Sequence, residues 1–230
     1  CRPTAQAGVP PDYFAATGQL WGNPIYDWPA HRAAGYSWWA DRVRAALDQV
    51  DLIRLDHFRG FEAAWHVAAS APTAEDGRWV AGPGADLFDA LRAGLGRLPF
   101  IAEDLGVITP EVDELRYRYQ LPGMRIAQFA FGGAREDRFL PHNFDANTVV
   151  YTGTHDNATT ADWFENLTLD ERGYFRDYLP DRSEGAAWQL IRLAWASVAE
   201  LAITPLQDVL GVGAEGRMNW PGRPSGNWRW

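Results

Sequence analysis

The chain has 230 residues, of which 47% are hydrophobic and 22% charged, and its formal net charge is −9. This composition is typical of a soluble globular protein, and the acidic balance argues against nucleic acid or an anionic membrane surface as a partner. The single cysteine, Cys1, excludes an internal disulfide and favours a reducing, cytoplasmic location, and no apolar stretch or signal peptide points to a membrane.

The first 35 residues contain many Gly and Pro residues and are predicted to be loop-like, as is a second Gly- and Trp-containing stretch over residues 60–83. A loop as long as the first of these stretches is uncommon inside a compact domain and is usually functional. Between the two stretches, the spacing of apolar residues predicts a helix over residues 36–50.

Five short apolar runs predict strands, and helical patterns separate most of them. This alternation predicts an α/β fold with a mostly parallel sheet. The predicted strands are Leu52–Leu55, Phe100–Ala102, Met124–Phe131, Thr148–Thr152 and Leu201–Leu206. The later predicted helices are Asp86–Leu95, Pro110–Tyr119 after an N-cap at Thr109, Thr160–Asn166, Leu169–Tyr178 and Ala186–Glu200.

The first of these strands ends in Arg54-Leu55-Asp56-His57. Residues two apart on an extended chain point to the same side, so Arg54 would hold Asp56 ionised and correctly oriented. That suits a carboxylate nucleophile, because chemistry in parallel α/β folds is assembled at the carboxyl ends of strands. The alternative is that Asp56 serves only as a turn or helix-cap residue.

Two further acidic strand ends favour the catalytic interpretation. Glu103 directly follows an apolar strand, and partial burial would raise its pKa as a general acid requires. Its neighbour Asp104 fits a local turn or cap equally well. His155 and Asp156 follow the fourth strand, where the histidine could donate to a sugar hydroxyl.

Two carboxylates and a third acidic group fit retaining glycoside chemistry, in which one carboxylate attacks the anomeric carbon and the other acts as acid and then base. The third acid would bind ring hydroxyls through bonds that tighten in the transition state. The 12 tryptophans support a sugar ligand, since those in polar, Gly/Pro-rich surroundings could be platforms for sugar rings, although ordinary loop packing explains them as well. They are Trp21, Trp28, Trp79, Trp220, Trp228 and Trp230.

Six stretches together resemble the amylomaltase, or 4-α-glucanotransferase, family of the α-amylase clan of glycoside hydrolases. The resemblance covers nearly all of the chain, and the stretches occur in the family's order. They are Gly8-Val9-Pro10-Pro11-Asp12-Tyr13-Phe14, Thr17-Gly18-Gln19-Leu20-Trp21-Gly22-Asn23-Pro24, Arg54-Leu55-Asp56-His57-Phe58-Arg59-Gly60, Ile101-Ala102-Glu103-Asp104-Leu105-Gly106, Gly153-Thr154-His155-Asp156-Asn157 and Arg217-Met218-Asn219-Trp220-Pro221-Gly222.

The resemblance implies that Asp56 is the nucleophile, Glu103 the general acid/base and Asp156 the acid that stabilises the distorted sugar. It also implies that Arg54 pairs with the nucleophile and that a loop carrying Asp12 and Trp21 covers the acceptor side. The remaining residues expected to contact substrate are His57, His155, Phe129 and Asn219.

The fold implied is the C-terminal part of a (β/α)8 barrel, about strands 4 to 8, spanning residues 1–230 with long loop insertions. The chain begins at Cys1 rather than Met, so we expect a segment of a longer protein whose N-terminal barrel portion is absent. The implied substrates are α-1,4-glucans and maltooligosaccharides, with no cofactor and no metal.

Three other functions fit parts of the pattern. A hydrolase of the same clan would use the same three acids. A non-catalytic carbohydrate-binding module would explain the aromatics and the acidic charge, but not three acids at strand ends. A metal-dependent barrel hydrolase ranks low, because the five histidines include no His-x-His or His-x-x-x-His pair.

Overall fold

The computed structural model describes residues 4–11, 15–179 and 183–230. Two compact units divide the chain, unit 1 over Cys1–Leu121 and unit 2 over Pro122–Trp230. The strands are β1 (Ala5–Val9), β2 (Gln19–Pro24), β3 (Ile53–Leu55), β4 (Ala63–Ala68), β5 (Gly77–Ala81), β6 (Phe100–Ala102), β7 (Gly123–Ile126), β8 (Thr148–Tyr151) and β9 (Leu201–Ile203). The α-helices are α1 (Trp28–Ala33), α2 (Ser37–Leu47), α3 (Gly84–Leu95), α4 (Pro110–Arg118), α5 (Thr160–Glu165), α6 (Leu169–Tyr178), α7 (Ala186–Trp195) and α8 (Leu206–Val209).

Unit 1 contains a parallel pair of strands, β3 and β6, covered by helices. In the register of this pair, Ile53 lies opposite Phe100 and Leu55 opposite Ala102. Strand β6 is fully buried, because the apolar faces of α2, α3 and α4 pack into the same core. The aromatic centre of this core includes Phe88, which is 0% exposed and contacts the rings of Phe58, Phe61, Phe100 and Tyr119.

The prediction of loops over residues 1–35 and 60–83 is wrong for much of both stretches. The strands β2, β1, β4 and β5 form an antiparallel sheet in that order, and α1 follows β2. The glycines that suggested loops mark close approaches within this sheet: a Cβ on Gly8 would collide with the Gln19 carbonyl, and one on Gly77 with the Trp65 indole. Glycine in a strand permits such an approach.

Unit 2 contains a parallel sheet in the order β7-β8-β9. Strand β7 is buried throughout, while β9 is paired through one edge to β8 and leaves Leu201 and Ile203 partly exposed. The five predicted parallel strands are therefore confirmed as strands, although the third and the fifth are shorter than predicted. The third continues as a 3-10 turn over Ala127–Phe129, and the fifth ends at Ile203, before α8 begins at Leu206. Helix α7 also ends early, at Trp195 rather than Glu200.

Threonine residues occupy the N-caps of α4 and α6 but bond differently. Thr168 forms a full capping box with Glu171 at the start of α6. Thr109 occupies the N-cap of α4 with Pro110 after it, as predicted, but makes no side-chain bond to the helix backbone. Its hydroxyl instead bonds to Glu111, whose pKa this hydrogen bond lowers.

Replacing Phe88 by Ala tests the unit 1 core. The substitution removes a fully buried ring from an aromatic cluster, so we expect a loss of about 3–5 kcal/mol in the free energy of unfolding. Urea titration followed by circular dichroism measures this loss. The matched control is Val50→Ala, because Val50 is 48% exposed and its truncation should change stability little. Equal effects of the two substitutions would contradict this core assignment.

Candidate active site

Arg54 and Asp56 form an ion pair at the end of β3. Arg54 Nη1 lies 2.7 Å from Asp56 Oδ1, which confirms the prediction that the two side chains point to the same side. The Asp56 side chain is 78% exposed and that of Arg54 only 30%. The carboxylate is therefore oriented by a partly covered cation while remaining accessible to a ligand.

Glu103 follows β6 as Asp56 follows β3. The backbone N–H of Glu103 donates to the carbonyl of Leu55 at 3.0 Å, which continues the pairing of the two strands to the acids themselves. Its carboxylate accepts hydrogen bonds from the backbone N–H of His57 at 2.7 Å and of Leu105 at 2.9 Å. Both carboxylate oxygens are therefore held in place.

Burial raises the pKa of Glu103 above its ordinary value of 4.5, as predicted from the sequence. The two backbone hydrogen bonds oppose the rise, the negative charge of Asp56 adds to it and Arg54 reduces it. The direction of the shift is the one that a general acid requires. The catalytic role itself stays a prediction.

His57 is held between an indole and a glycine. Its backbone is left-handed, with φ 49°, and the edge of its ring lies against Trp21 with centroids 4.7 Å apart. On another side, a Cβ on Gly60 would come within 2.9 Å of the imidazole. Burial lowers the pKa of His57, with an opposing effect from Asp56 and a further lowering by Arg59. The neutral ring has one nitrogen that can donate a hydrogen bond and one that can accept.

The loop after β8 forms a second group of candidate residues, in unit 2. Asp156 accepts a hydrogen bond from Asn219 Nδ2 at 2.6 Å, and its other carboxylate oxygen lies 3.3 Å from His155 Nε2. Arg217 donates to the backbone carbonyl of Asp156 at 2.8 Å. The loop is closed from within by Asn157, whose side chain accepts from the N–H and hydroxyl of Thr154.

A buried carboxylate that the sequence analysis missed supports this loop. Asp208 is 1% exposed and accepts hydrogen bonds from the Thr152 hydroxyl at 2.5 Å, the Thr160 N–H at 2.7 Å and the Thr160 hydroxyl at 2.7 Å. Thr152 immediately precedes the loop, and Thr160 begins α5 after it. The available signal was an acid shortly after the fifth apolar run, the same pattern that identified Asp56.

The predicted residues thus fall into two groups, one in each unit. Unit 1 brings together Trp21, Arg54, Asp56, His57 and Glu103; unit 2 brings together His155, Asp156 and Asn219. Phe129 is 39% exposed and packs edge-on against Phe139 with centroids 5.3 Å apart, so its role in lining a cleft stays a prediction. Asp12 lies outside the described residues.

Asp104, adjacent to Glu103, is buried next to an arginine, and its side chain has no access to solvent. Its carboxylate is completely buried and lies 3.7 Å from Nε of Arg116, which is also buried. Arg116 further donates to the Leu121 carbonyl and lies 3.4 Å from Asp113. The pairing anchors the loop after β6 to helix α4, because breaking one partner of a buried ion pair is costly.

Comparisons of the sequence and of the structure with known proteins identify the same family. The family model described as 4-alpha-glucanotransferase matches residues 2–230. The 4-alpha-glucanotransferase of Thermus thermophilus is 53% identical over 100% of this chain, and that of Synechocystis is 54% identical over 97%. An amylomaltase from Streptococcus agalactiae, solved in complex with acarbose, superimposes with a TM-score of 0.95 at 40% identity over 99% of the chain.

The chain spans about half the length of these relatives: 47% of the Thermus protein, 45% of the Synechocystis protein and 46% of the Streptococcus chain. Among the helices of the described residues, none is both long and apolar enough to cross a membrane.

Replacing Glu103 by Gln tests the burial of its charge. Because its folded pKa is raised, the folded state holds the proton more tightly, so the contribution of Glu103 to stability falls as pH rises above about 4.5. The substituted amide cannot ionise, so the free energy of unfolding of wild type minus that of the variant should decrease with pH over this range. Urea titrations at several pH values in the range where carboxyl groups titrate measure this difference. A difference that increases with pH would show that the hydrogen bonds outweigh burial.

Replacing Asp208 by Ala tests whether this carboxylate supports the loop after β8. Three buried donors lose their acceptor, so we expect a loss of about 3 kcal/mol or more in the free energy of unfolding. Asp177→Ala is the matched control, because Asp177 is exposed on α6 and its removal should change stability by less than about 0.5 kcal/mol. A loss no larger than in the control would exclude the supporting role.

Proposed function

Because this chain belongs to the 4-alpha-glucanotransferase family, we propose that it carries the catalytic acids of an enzyme that transfers a segment of an α-1,4-glucan to the 4-hydroxyl of an acceptor. The observation that carries this proposal is the arrangement of Asp56 and Glu103 at the ends of two paired parallel strands. The glucan substrates are supported by the names of the relatives and by the acarbose bound to the Streptococcus amylomaltase.

The spacing of the strands supports a retaining mechanism. Adjacent strands lie about 4.7–4.9 Å apart, and Asp56 and Glu103 come directly after the last registered pair, Leu55 and Ala102. Retaining glycosidases place their two carboxyl groups about 5–5.5 Å apart, whereas inverting enzymes need a wider gap for water. Neighbouring strand ends therefore suit attack by one acid and proton transfer by the other.

Asp56 is the proposed nucleophile. Its carboxylate attacks the anomeric carbon and forms a glycosyl ester, while the bond from that carbon to the leaving oxygen breaks. Arg54 orients this carboxylate through their ion pair. The high exposure of Asp56 leaves its reactive oxygen accessible to the sugar.

Glu103 is the proposed acid and base. Its raised pKa favours the protonated form that donates to the leaving oxygen. The resulting carboxylate then takes the proton of the acceptor hydroxyl as that oxygen attacks the anomeric carbon and the bond from this carbon to Asp56 breaks. The proton is thereby returned to Glu103, and Asp56 is regenerated.

The other residues are proposed to bind and distort the sugar. Asp156, held by Asn219, would accept hydrogen bonds from ring hydroxyls that strengthen in the transition state. His57 in unit 1 and His155 in unit 2 would each contact substrate sugars. Trp21, together with Asp12 in the same part of the sequence, would cover the acceptor side and exclude water, which favours transfer over hydrolysis.

For the fold, we propose that residues 1–230 form about strands 4 to 8 of a (β/α)8 barrel, with the antiparallel sheet of unit 1 as an insertion. The parallel sheets and the half-exposed edge strand β9 support this arrangement. The half of the relatives that this chain does not match has the length to supply the remaining strands. A cytoplasmic location fits the single cysteine.

The test uses a chimera in which this chain replaces the matching segment of the Thermus thermophilus relative. Incubated with maltotriose, the chimera should release glucose and build a ladder of longer maltooligosaccharides. Chromatography of the products, together with a reducing-end assay, measures both. Asp56→Asn should abolish turnover and retain sugar binding, whereas Asp48→Asn, an exposed change beyond α2, should leave activity intact.

The outcomes separate the candidate functions. Only shorter sugars, with one new reducing end for each cleavage, would indicate a hydrolase of the same clan. Unchanged turnover in the Asp56→Asn chimera would remove Asp56 from the nucleophile role. Binding without any turnover in the unsubstituted chimera would indicate a carbohydrate-binding module.

A further inference from the structure

We propose that Trp228 forms a stacking platform for a glucose unit beside Asp156, a role that the sequence resemblance does not assign. The indole of Trp228 lies against the His155 ring, with centroids 5.3 Å apart and an interplanar angle of 30°. The proposal rests on the proposed function and adds a binding residue to it.

Trp228 is exposed although it lies beside a candidate site residue. It is 62% exposed among the described residues, and its ring is accessible there to a ligand. A large aromatic ring in contact with solvent on one side and with a site histidine on the other provides a rigid apolar surface at low conformational cost. The apolar C–H face of a pyranose ring matches such a surface.

The backbone at Trp228 is held in a conformation that tryptophan rarely adopts. Its φ of 59° is in the left-handed region, which is unfavourable for a bulky residue. The conformation is maintained by a hydrogen bond from the Trp228 N–H to the Met218 carbonyl at 2.8 Å. Asn227 fixes the preceding turn, since its side chain accepts from the Trp220 N–H and donates to the Arg223 carbonyl.

The neighbouring groups can bind sugar hydroxyls. His155 contacts both the Trp228 ring and the carboxylate of Asp156, and Asn219 donates to that same carboxylate. A glucose ring on the indole would therefore present its polar edge to hydrogen-bonding groups while its apolar face is covered. A flat apolar surface next to groups that hydrogen-bond to hydroxyls suits a neutral sugar.

Two other tryptophans of unit 2, Trp220 and Trp195, provide a contrast. The Arg217 and Arg223 guanidinium groups lie 4.0 Å and 4.1 Å from the ring centroid of Trp220, so its ring is engaged by cations. Trp195 on α7 is 56% exposed but contacts Trp188 and Thr204. Trp195 is thus a matched control, with the same ring and similar exposure in the same unit.

The test compares Trp228→Gly with Trp195→Ala in the chimera described above, using maltoheptaose as the probe. Glycine accepts the positive φ and keeps the backbone N–H, so Trp228→Gly removes the ring without disturbing the turn. In the Asp56→Asn background, which the proposed function expects to bind glucan without turnover, we expect the Kd for maltoheptaose to rise about tenfold, equivalent to about 1.4 kcal/mol. With Asp56 in place, KM should rise in parallel with kcat little changed, while thermal stability is retained. Trp228→Phe should recover part of the affinity.

Fluorine NMR of the Asp56→Asn chimera labelled with 5-fluorotryptophan gives an independent measurement. The resonance that disappears in Trp228→Gly should shift saturably on titration with maltoheptaose, and the Trp195 resonance should not. An unmoved Trp228 resonance while others shift would overturn the proposal.

Two results of the binding comparison would also overturn the proposal. One is an equal Kd for Trp228→Gly and Trp195→Ala. The other is lost binding that accompanies lost stability and is not recovered by Trp228→Phe, since that result would identify a purely structural role. A chimera that is active but insensitive to Trp228 contradicts this inference alone. An unsubstituted chimera that neither binds nor transfers glucan contradicts the proposed function as well.

Discussion

The parallel pairing of β3 with β6 determines the geometry of the acids in unit 1. Three registered residue pairs align the two strands, and the hydrogen bond from the Glu103 N–H to Leu55 extends that alignment beyond the last pair. A slip of one residue would turn Asp56 to the opposite face, because side chains alternate along a strand. The aromatic core around Phe88 packs against β6 and so maintains the register on which the proposed chemistry depends.

The backbone N–H groups that hold the Glu103 carboxylate also affect its pKa. The N–H groups of His57 and Leu105 fix both carboxylate oxygens, and they counteract part of the rise in pKa that burial produces. The left-handed backbone of His57 directs its N–H toward Glu103 while its ring packs against Trp21. In unit 2 a buried carboxylate, Asp208, performs the comparable task of fixing both ends of the loop that carries Asp156.

Sequence reasoning identified the acids because each follows an apolar run, a pattern that depends only on local chain order. It also predicted the Arg54–Asp56 contact, since a spacing of two decides the side on which a strand residue lies. It missed the sheet of β1, β2, β4 and β5, because Gly8 and Gly77 are indistinguishable from loop glycines until the partner strand is known. Asp208 was missed for a related reason: its three donors are 48 and 56 residues away in the chain.

The central claim is that Asp56 becomes covalently attached to the sugar while Glu103 transfers the proton. Trapping the intermediate tests this claim most directly. A 5-fluoroglucosyl fluoride reacts to give a glycosyl ester that breaks down slowly, and peptide mass spectrometry of the treated chimera locates it. We predict one fluoroglucosyl group on the peptide that contains Asp56, accumulating faster than it is lost. Labelling of Glu103 or Asp156 instead, or continued glucan transfer with no labelled carboxylate, would contradict this mechanism.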